Sequence, residues 1–202
     1  MLADQNFGPK IDKARIGAAG FSLGGYTVME IAGAQTDVGL LYDRCEKQAD
    51  QTACRVPEMK TMGTAMQILS QVRKTSGASL AASADSYRDA RVHAVFAIAP
   101  ALGFTLTPES LHAIREPVEI VVGSTDPIAP ANENASYIRS NIRGARETVL
   151  PGVAHYTFLD SCTAAAKQKL GVYCEDAASV DRDKVHEQVA AEAAGFFEAA
   201  LR

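Results

Sequence analysis

The sequence contains no apolar run of the roughly 20 residues that a membrane-spanning helix needs. Its first segment, Met1 to Phe7, has neither the basic nor the apolar region of a signal peptide. Neither sign of charge dominates, because the formal net charge is −4 and the lysines and arginines are scattered. These absences argue against a membrane span and against a nucleic-acid partner, and they predict a soluble protein.

The sequence also lacks the C-x-x-C spacing of zinc and redox motifs, although it has four cysteines. They fall into two close pairs, Cys45 with Cys54 and Cys162 with Cys174, both in polar, loop-like sequence. A local disulfide would staple such a segment, which favours an oxidising compartment, either periplasmic or secreted. Four unpaired thiols in a cytoplasmic protein are the alternative, and four cysteines allow three pairings.

The composition is sufficient for one folded domain, since 47% of the 202 residues are apolar. Short apolar runs alternate with helical patterns, which predicts an α/β fold with a mostly parallel sheet and helices on both faces. We expect a single domain over residues 1–202, with a helical insertion at about residues 36–90. The predicted strands are Ile16–Ala19, Val92–Ala99, Val118–Val122 and Arg146–Leu150.

Helical patterns occupy much of the remaining sequence. Asp181 to Leu201 carries an apolar stripe that should pack on the sheet, and Asn132 to Ile142 is a second predicted helix. Met1 to Phe7 is predicted to be the end of a helix.

The segment Glu58 to Ala84 is also predicted to be helical. Its residues Met59, Met62, Met66 and Leu69 are spaced by three and four, which places them on one helix face. The interpretation we favour for this stripe is core packing. The alternative is an apolar substrate pocket, because methionine adapts to varied apolar ligands.

The most informative segment is Arg15 to Ala32, in which an apolar run, a glycine-flanked serine and a helical pattern follow one another. Residues 20–24 fit the G-x-S-x-G nucleophile elbow, a strained strand-to-helix turn that projects Ser22 out of the sheet. We expect side chains at Gly20 and Gly24 to collide where strand and helix cross, and Gly25 to widen the clearance. A plain Gly-Ser turn between strand and helix is the alternative.

Three residues that could carry chemistry follow predicted strands: Ser22, Asp126 and His155. In a parallel sheet these positions share the edge formed by the carboxyl ends of the strands. Their order along the chain is the one expected for an elbow-type hydrolase. Histidine can take the serine proton near neutral pH, and a buried carboxylate can fix the imidazole tautomer.

Other histidines and aspartates fit these roles less well. The competing residues are His93, His112, His186, Asp160 and Asp176. The histidines among them lie within a predicted strand or in helices, and the aspartates lie in polar sequence after His155. The predicted catalytic residues are therefore Ser22, Asp126 and His155, although Asp126 could instead cap backbone amides as a turn residue.

These motifs resemble the carboxyl-terminal, catalytic part of the α/β-hydrolase superfamily. More narrowly, the chain is similar to bacterial predicted dienelactone hydrolases and to the plasma-type platelet-activating-factor acetylhydrolases. The segments IDKARIGAAGFSLGGYT, GSTDPIAP and LPGVAHYTFLD carry the resemblance. It implies a single catalytic domain of the α/β-hydrolase fold that cleaves esters through an acyl-enzyme and needs no metal or organic cofactor.

The chain departs from this family in two ways. True dienelactone hydrolases use a cysteine nucleophile, so Ser22 favours a general esterase. The family's first strands are absent, together with the loop that supplies one oxyanion-hole amide, which leaves the backbone N–H of Leu23 as the predicted donor. We therefore expect a weak hydrolase unless another segment or subunit supplies the second oxyanion-hole donor. The exposed sheet edge also predicts either that two copies pair across it or that the chain is part of a longer gene product.

The leading functional prediction is a serine hydrolase acting on short-acyl or otherwise small carboxylic esters. One alternative is a phospholipid acyl hydrolase of the platelet-activating-factor acetylhydrolase type, which the methionine stripe would favour. The other is a non-catalytic fragment or binding module that keeps the three triad residues.

Overall fold

The computed structural model of the protein describes residues 2–47, 54 and 65–202. Its centre is a four-stranded sheet in the order β1-β2-β3-β4, with every neighbouring pair parallel. The strands are Gly17–Phe21 (β1), Ala94–Ile98 (β2), Val118–Gly123 (β3) and Arg146–Leu150 (β4). Each overlaps one of the predicted strands, and in β2 and β3 branched and aromatic side chains suit a buried pleated surface.

Helices connect and cover these strands. The α-helices are Leu23–Ala32 (α1), Val38–Lys47 (α2), Ala65–Thr75 (α3), Gly77–Ala82 (α4), Pro108–Ala113 (α5), Ala135–Asn141 (α6), Ala164–Leu170 (α7) and Arg182–Ala200 (α8). Single 3₁₀ turns occur at Gly8–Lys10, Gly103–Thr105, Ala131–Glu133, His155–Phe158 and Gly171–Tyr173. Among the described residues, no helix combines the length and the apolar character that a membrane span requires.

The two central strands, β2 and β3, are buried on both faces, as their near-continuous apolar sequences predict, whereas β1 and β4 are partly exposed. In β2, Val95 and Ala97 belong to a core shared with α1, α5 and α6, whereas Ala94 and Phe96 belong to a core shared with α8. The apolar stripe of α8 packs in this second core, with Val189 and Phe196 buried. The predicted α/β class, with a parallel sheet and helices on both faces, is confirmed.

Three predicted helices differ from the structure. Residues 2–7 form turns before Gly8–Lys10 and do not end a helix. The helix predicted up to Ala84 breaks at Ser76, between α3 and α4. The one predicted from Asn132 is interrupted at Asn134, whose buried side-chain oxygen accepts a hydrogen bond from the backbone N–H of Gly103.

The methionine stripe lies outside what the structure describes, since residues 55–64 and the side chains of Met66 and Leu69 are not described. Nothing in the structure therefore bears on the interpretation of that stripe as core or pocket.

The cysteines are joined within their close pairs. Cys45 is bonded to Cys54 and Cys162 to Cys174, with Cα atoms 5.5 and 5.7 Å apart. The paired cysteines are nine and twelve residues apart in sequence, and all four lie outside the strands.

Because β1 and β4 lie at the two ends of the strand order, they are the edge strands of the sheet described. Pairing of two copies across the β1 edge stays a prediction.

Candidate active site

The site begins at the turn between β1 and α1, where Ser22 has backbone angles φ 56° and ψ −116°. A residue with a side chain adopts this conformation at a cost of about 1–3 kcal/mol. Two hydrogen bonds, one to the last residue of β2 and one to the chain after it, hold this turn: Ser22 N–H donates to the carbonyl of Ile98 at 2.9 Å, and Ala101 N–H donates to the carbonyl of Ser22 at 3.1 Å. The strained turn is thus fixed by the neighbouring strand.

The glycines around Ser22 differ in what they do. A Cβ on Gly20 would lie 2.2 Å from the carbonyl oxygen of Gly24, and one on Gly25 would lie 3.0 Å from Cα of Pro100. A Cβ on Gly24 would meet nothing within 4 Å, so the expected collision at this position is wrong. At Gly24 it is the helix backbone that approaches β1, and its missing side chain would point away from the crossing.

This difference predicts the stabilities of two matched variants. Gly20→Ala should lower the free energy of unfolding by about 3 kcal/mol or more, because the added methyl overlaps backbone that cannot move independently. Gly24→Ala should change it by about 1 kcal/mol or less, since the position is open and alanine favours a helix. Urea unfolding followed by circular dichroism measures both, and equal destabilisation of the two variants would contradict the asymmetry.

Asp126 occupies the turn after β3, and its side chain is entirely shielded from solvent (0% exposed). Its Oδ1 accepts hydrogen bonds from the backbone N–H groups of Ile128 and Ala129, both at 2.8 Å. Such a turn is common for aspartate, but here it occupies only one carboxylate oxygen. The other oxygen, Oδ2, is left facing the loop that follows β4.

That loop carries His155 back across the sheet. With neighbouring strands about 4.8 Å apart, β4 lies roughly 14 Å from β1, so the chain after Leu150 has to return over the end of β3. It is fastened there, because Thr125 N–H donates to the carbonyl of Val153 at 3.1 Å and Gly152 N–H donates to Ser124 Oγ at 2.8 Å. The approach is so close that a Cβ on Gly123 would lie 2.1 Å from the carbonyl oxygen of Val153.

As a result, the three predicted side chains form one hydrogen-bonded chain. His155 Nδ1 lies 2.7 Å from Asp126 Oδ2, and His155 Nε2 lies 2.9 Å from Ser22 Oγ. A carboxylate can only accept, so Nδ1 carries the proton and Nε2 is free to accept the proton of the serine hydroxyl. The Ser22 hydroxyl therefore donates to His155 Nε2, and His155 Nδ1–H donates to Asp126 Oδ2.

The imidazole is packed as well as bonded, with its side chain only 3% exposed. Its ring centroid lies 5.0 Å from that of Phe21 and 5.4 Å from that of Tyr156. Ser22 is only half-buried, so the hydroxyl stays reachable from solvent while the base behind it is shielded. Leu23, the first residue of α1, is 58% exposed, and its backbone N–H has no acceptor within the helix because it belongs to the first turn.

The competing residues lie elsewhere. His93, His112 and Asp160 are exposed. His186 donates from Nε2 to the carbonyl of Thr157 at 2.8 Å, and Asp176 accepts hydrogen bonds from Thr157 and Arg182. The group that contains Asp176 contacts the 3₁₀ turn of His155, and sequence reasoning did not anticipate it, because no motif joins these positions.

The residues around Asp176 change the pKa of its carboxyl. Burial alone would raise the pKa of its carboxyl, but hydrogen bonds from Arg182 and Thr157, with the charge of Arg182, hold that pKa below its usual value. The side chain is therefore kept ionised next to the histidine loop.

The sequence matches no protein-family model and no curated protein. Among solved structures, it is similar to a predicted CIB-like hydrolase from Thermoplasma acidophilum, with 28% identity, 34% of this chain and 32% of that chain covered, and a TM-score of 0.30. It is also similar to a hydrolase from Pseudomonas aeruginosa PA01, with 20% identity, 71% of this chain and 59% of that chain covered, and a TM-score of 0.34. A third similar structure is an acetyl ester-xyloside bifunctional hydrolase from Caldicellulosiruptor lactoaceticus, with 14% identity, 94% of this chain and 61% of that chain covered, and a TM-score of 0.40. The chain thus spans less than two thirds of the length of each of these three proteins.

Proposed function

We propose that this chain is a serine hydrolase of the α/β-hydrolase type, which cleaves short-acyl or otherwise small carboxylic esters through an acyl-serine intermediate. The observation that carries the proposal is the hydrogen-bonded order Ser22 Oγ, His155 Nε2, His155 Nδ1, Asp126 Oδ2, at 2.9 and 2.7 Å. A serine hydroxyl is a weak nucleophile until a base takes its proton. His155 would be that base, since its Nε2 lies within hydrogen-bond distance of Ser22 Oγ and its Nδ1 is bonded to Asp126.

In the first half-reaction, Ser22 Oγ would attack the ester carbonyl carbon while its proton passes to His155 Nε2. The carbonyl oxygen becomes an oxyanion, to which the backbone N–H of Leu23 would donate from the first turn of α1. The imidazolium is stabilised by the Asp126 carboxylate. It then gives its proton to the leaving alcohol as the tetrahedral intermediate collapses to the acyl-serine.

In the second half-reaction, water would attack the acyl-serine carbonyl while His155 Nε2 takes one of its protons. Collapse of the second tetrahedral intermediate expels Ser22 Oγ, which recovers the proton from His155. The products are a carboxylic acid and the regenerated hydroxyl. Each proton transfer uses His155 Nε2. Because the ring is almost completely shielded from bulk water, protons are not lost to solvent between the steps.

A fluorophosphonate probe tests the nucleophile directly, because its phosphorus reacts only with an activated serine hydroxyl. We expect labelling of the purified protein at Ser22, located by peptide mass spectrometry, and no labelling of Ser22→Ala. The matched control is Ser79→Ala, which removes an exposed hydroxyl in α4 and should label at the wild-type rate.

The same preparations distinguish the substrate class. Hydrolysis of p-nitrophenyl acetate faster than that of long-acyl esters supports the small-ester proposal, and the reverse preference would favour a lipid ester. Absence of labelling at Ser22 in folded wild-type protein would overturn the catalytic role and leave a binding module.

A further inference from the structure

The 3₁₀ turn that carries His155 is held by a second set of contacts, which do not involve Asp126. Its third residue, Thr157, is 1% exposed. Thr157 Oγ1 donates to Asp176 Oδ1 at 2.7 Å and accepts from the backbone N–H of Ala154 at 3.3 Å. The carbonyl of Thr157 accepts from His186 Nε2 at 2.8 Å. The buried Thr157 therefore connects the start of the turn, at Ala154, with the side chains of Asp176 and His186, which lie outside the turn.

Asp176 is itself fixed by Arg182, a buried guanidinium with 8% of the residue exposed. Arg182 Nε donates to Asp176 Oδ2 at 2.8 Å, and Nη2 donates to Oδ1 at 3.2 Å. The remaining nitrogen, Nη1, donates to the carbonyls of Asp160 and Tyr173, at 3.2 and 3.1 Å. A planar guanidinium has a fixed donor geometry, so it sets the carboxylate relative to both ends of the segment between residues 160 and 173.

The Cys162–Cys174 bond closes this same segment. No residue of α7, which lies inside it, is buried, so the segment has little core of its own to hold it. Closing a loop of this length lowers the chain entropy of the unfolded state and so stabilises the folded segment. At the end of the segment, the ring of Tyr173 packs 4.6 Å from that of Tyr156, the residue after His155.

We propose that Asp176, fixed by Arg182 and by the Cys162–Cys174 bond, is a positioning residue that sets the imidazole of His155 through Thr157. The proposal rests on the function proposed above, because it assigns these groups to the base of that reaction. Asp126 holds only Nδ1 of the ring. The distance from Nε2 to Ser22 Oγ depends on where the turn places the Cα of His155, and the Thr157 contacts determine that placement.

The first test compares Thr157→Val, which has the same shape without the hydroxyl, with Thr157→Ser, which keeps it. We expect Thr157→Val to lower kcat by about 10- to 100-fold with KM within about twofold, because a displacement of the order of 1 Å can cost 10²-fold in rate. Thr157→Ser should restore most of kcat. A role in stability alone would lower the melting temperature and leave kcat of the folded protein unchanged.

A second readout does not depend on turnover. The proton on His155 Nδ1, hydrogen-bonded to Asp126, should give a low-field resonance in the proton NMR spectrum, identified by its loss in His155→Ala. We expect this resonance to shift or broaden in Thr157→Val and to persist in Thr157→Ser. An unchanged resonance and an unchanged kcat in folded Thr157→Val would overturn the proposal.

The disulfide provides a variant that leaves Thr157 and Asp176 intact. Replacing Cys162 and Cys174 together with serine should broaden the His155 resonance and lower kcat. Replacing Cys45 and Cys54 together is the matched control, since it removes the other disulfide and should leave the resonance in place. If Thr157→Val does not fold, equal resonances in the two double variants would overturn the proposal.

The two readouts separate this proposal from the proposed function. Wild-type protein that shows the resonance but is not labelled at Ser22 would contradict the hydrolase function. The resonance in the variants would still decide whether the Asp176 group positions the ring.

Discussion

His155→Ala is expected to lower kcat for a small ester by about 10⁴- to 10⁶-fold, and Ser22→Ala is expected to do the same. Without the imidazole, the hydroxyl of Ser22 keeps its proton, because the hydrogen-bonded chain contains no other group that could accept it at Oγ. The two residues act as one unit, so the double variant should be no slower than either single variant.

Initial rates with p-nitrophenyl acetate measure this effect. His112→Ala is the control, since that histidine is exposed on α5 and should keep wild-type activity. Independent losses that multiply in the double variant would show that Ser22 and His155 do not share a step. Retention of more than about a tenth of kcat in His155→Ala would remove the proposed base.

Asp126→Asn is expected to lower kcat by about 10⁴-fold while the fold is kept. The backbone N–H groups of Ile128 and Ala129 require an acceptor at Oδ1, so the amide oxygen must occupy that place. The NH₂ group then lies where Oδ2 stood and donates to His155 Nδ1. This forces the proton of the ring onto Nε2, which can no longer accept the serine proton.

The same variant should lose the low-field resonance of the His155 ring, because Nδ1 no longer carries a proton. Its unfolding by urea should resemble that of the wild type, since both turn hydrogen bonds survive. Asp160→Asn is the control, because Asp160 is exposed and its side chain bonds only locally, to the backbone N–H of Ser161. A kcat for Asp126→Asn within about tenfold of the wild type would contradict the proposed tautomer control.

Much of the fold follows from local patterns that the sequence displays openly. Near-continuous apolar runs predicted β2 and β3, because a strand buried on both faces needs no alternation of apolar and polar residues. The packing of α8 on the sheet was also predicted, from the spacing of its apolar residues. Breaks inside helices were not predicted. At one such break, the side chain of Asn134 accepts a hydrogen bond from the backbone N–H of Gly103, 31 positions away in sequence. No local sequence pattern identifies a partner at that distance.

At the candidate site, chemistry and chain order predicted that Ser22, Asp126 and His155 would lie together, because parallel strands bring their carboxyl ends to one edge. The support behind His155 was not predictable in this way. Asp176 and Arg182 act through Thr157 and through backbone carbonyls, and carbonyls carry no sequence identity. The collision expected at Gly20 is confirmed and the one expected at Gly24 is wrong, because the direction in which a missing Cβ would point along the helix is not visible in the sequence.

The sequence distances inside the hydrogen-bonded chain have a consequence for how the site is assembled during folding. Asp126 and His155 are 29 positions apart, whereas Ser22 and His155 are 133 apart. Loop-closure entropy grows with the logarithm of loop length, so the longer closure costs roughly 1 kcal/mol more. The acid and the base can meet as soon as the last two strands pair, but the nucleophile joins them only when the first strand has docked. For the proposed enzyme, we expect reactivity at Ser22 to appear during refolding only after β1 has docked on β2, and helices and the other strands to form earlier.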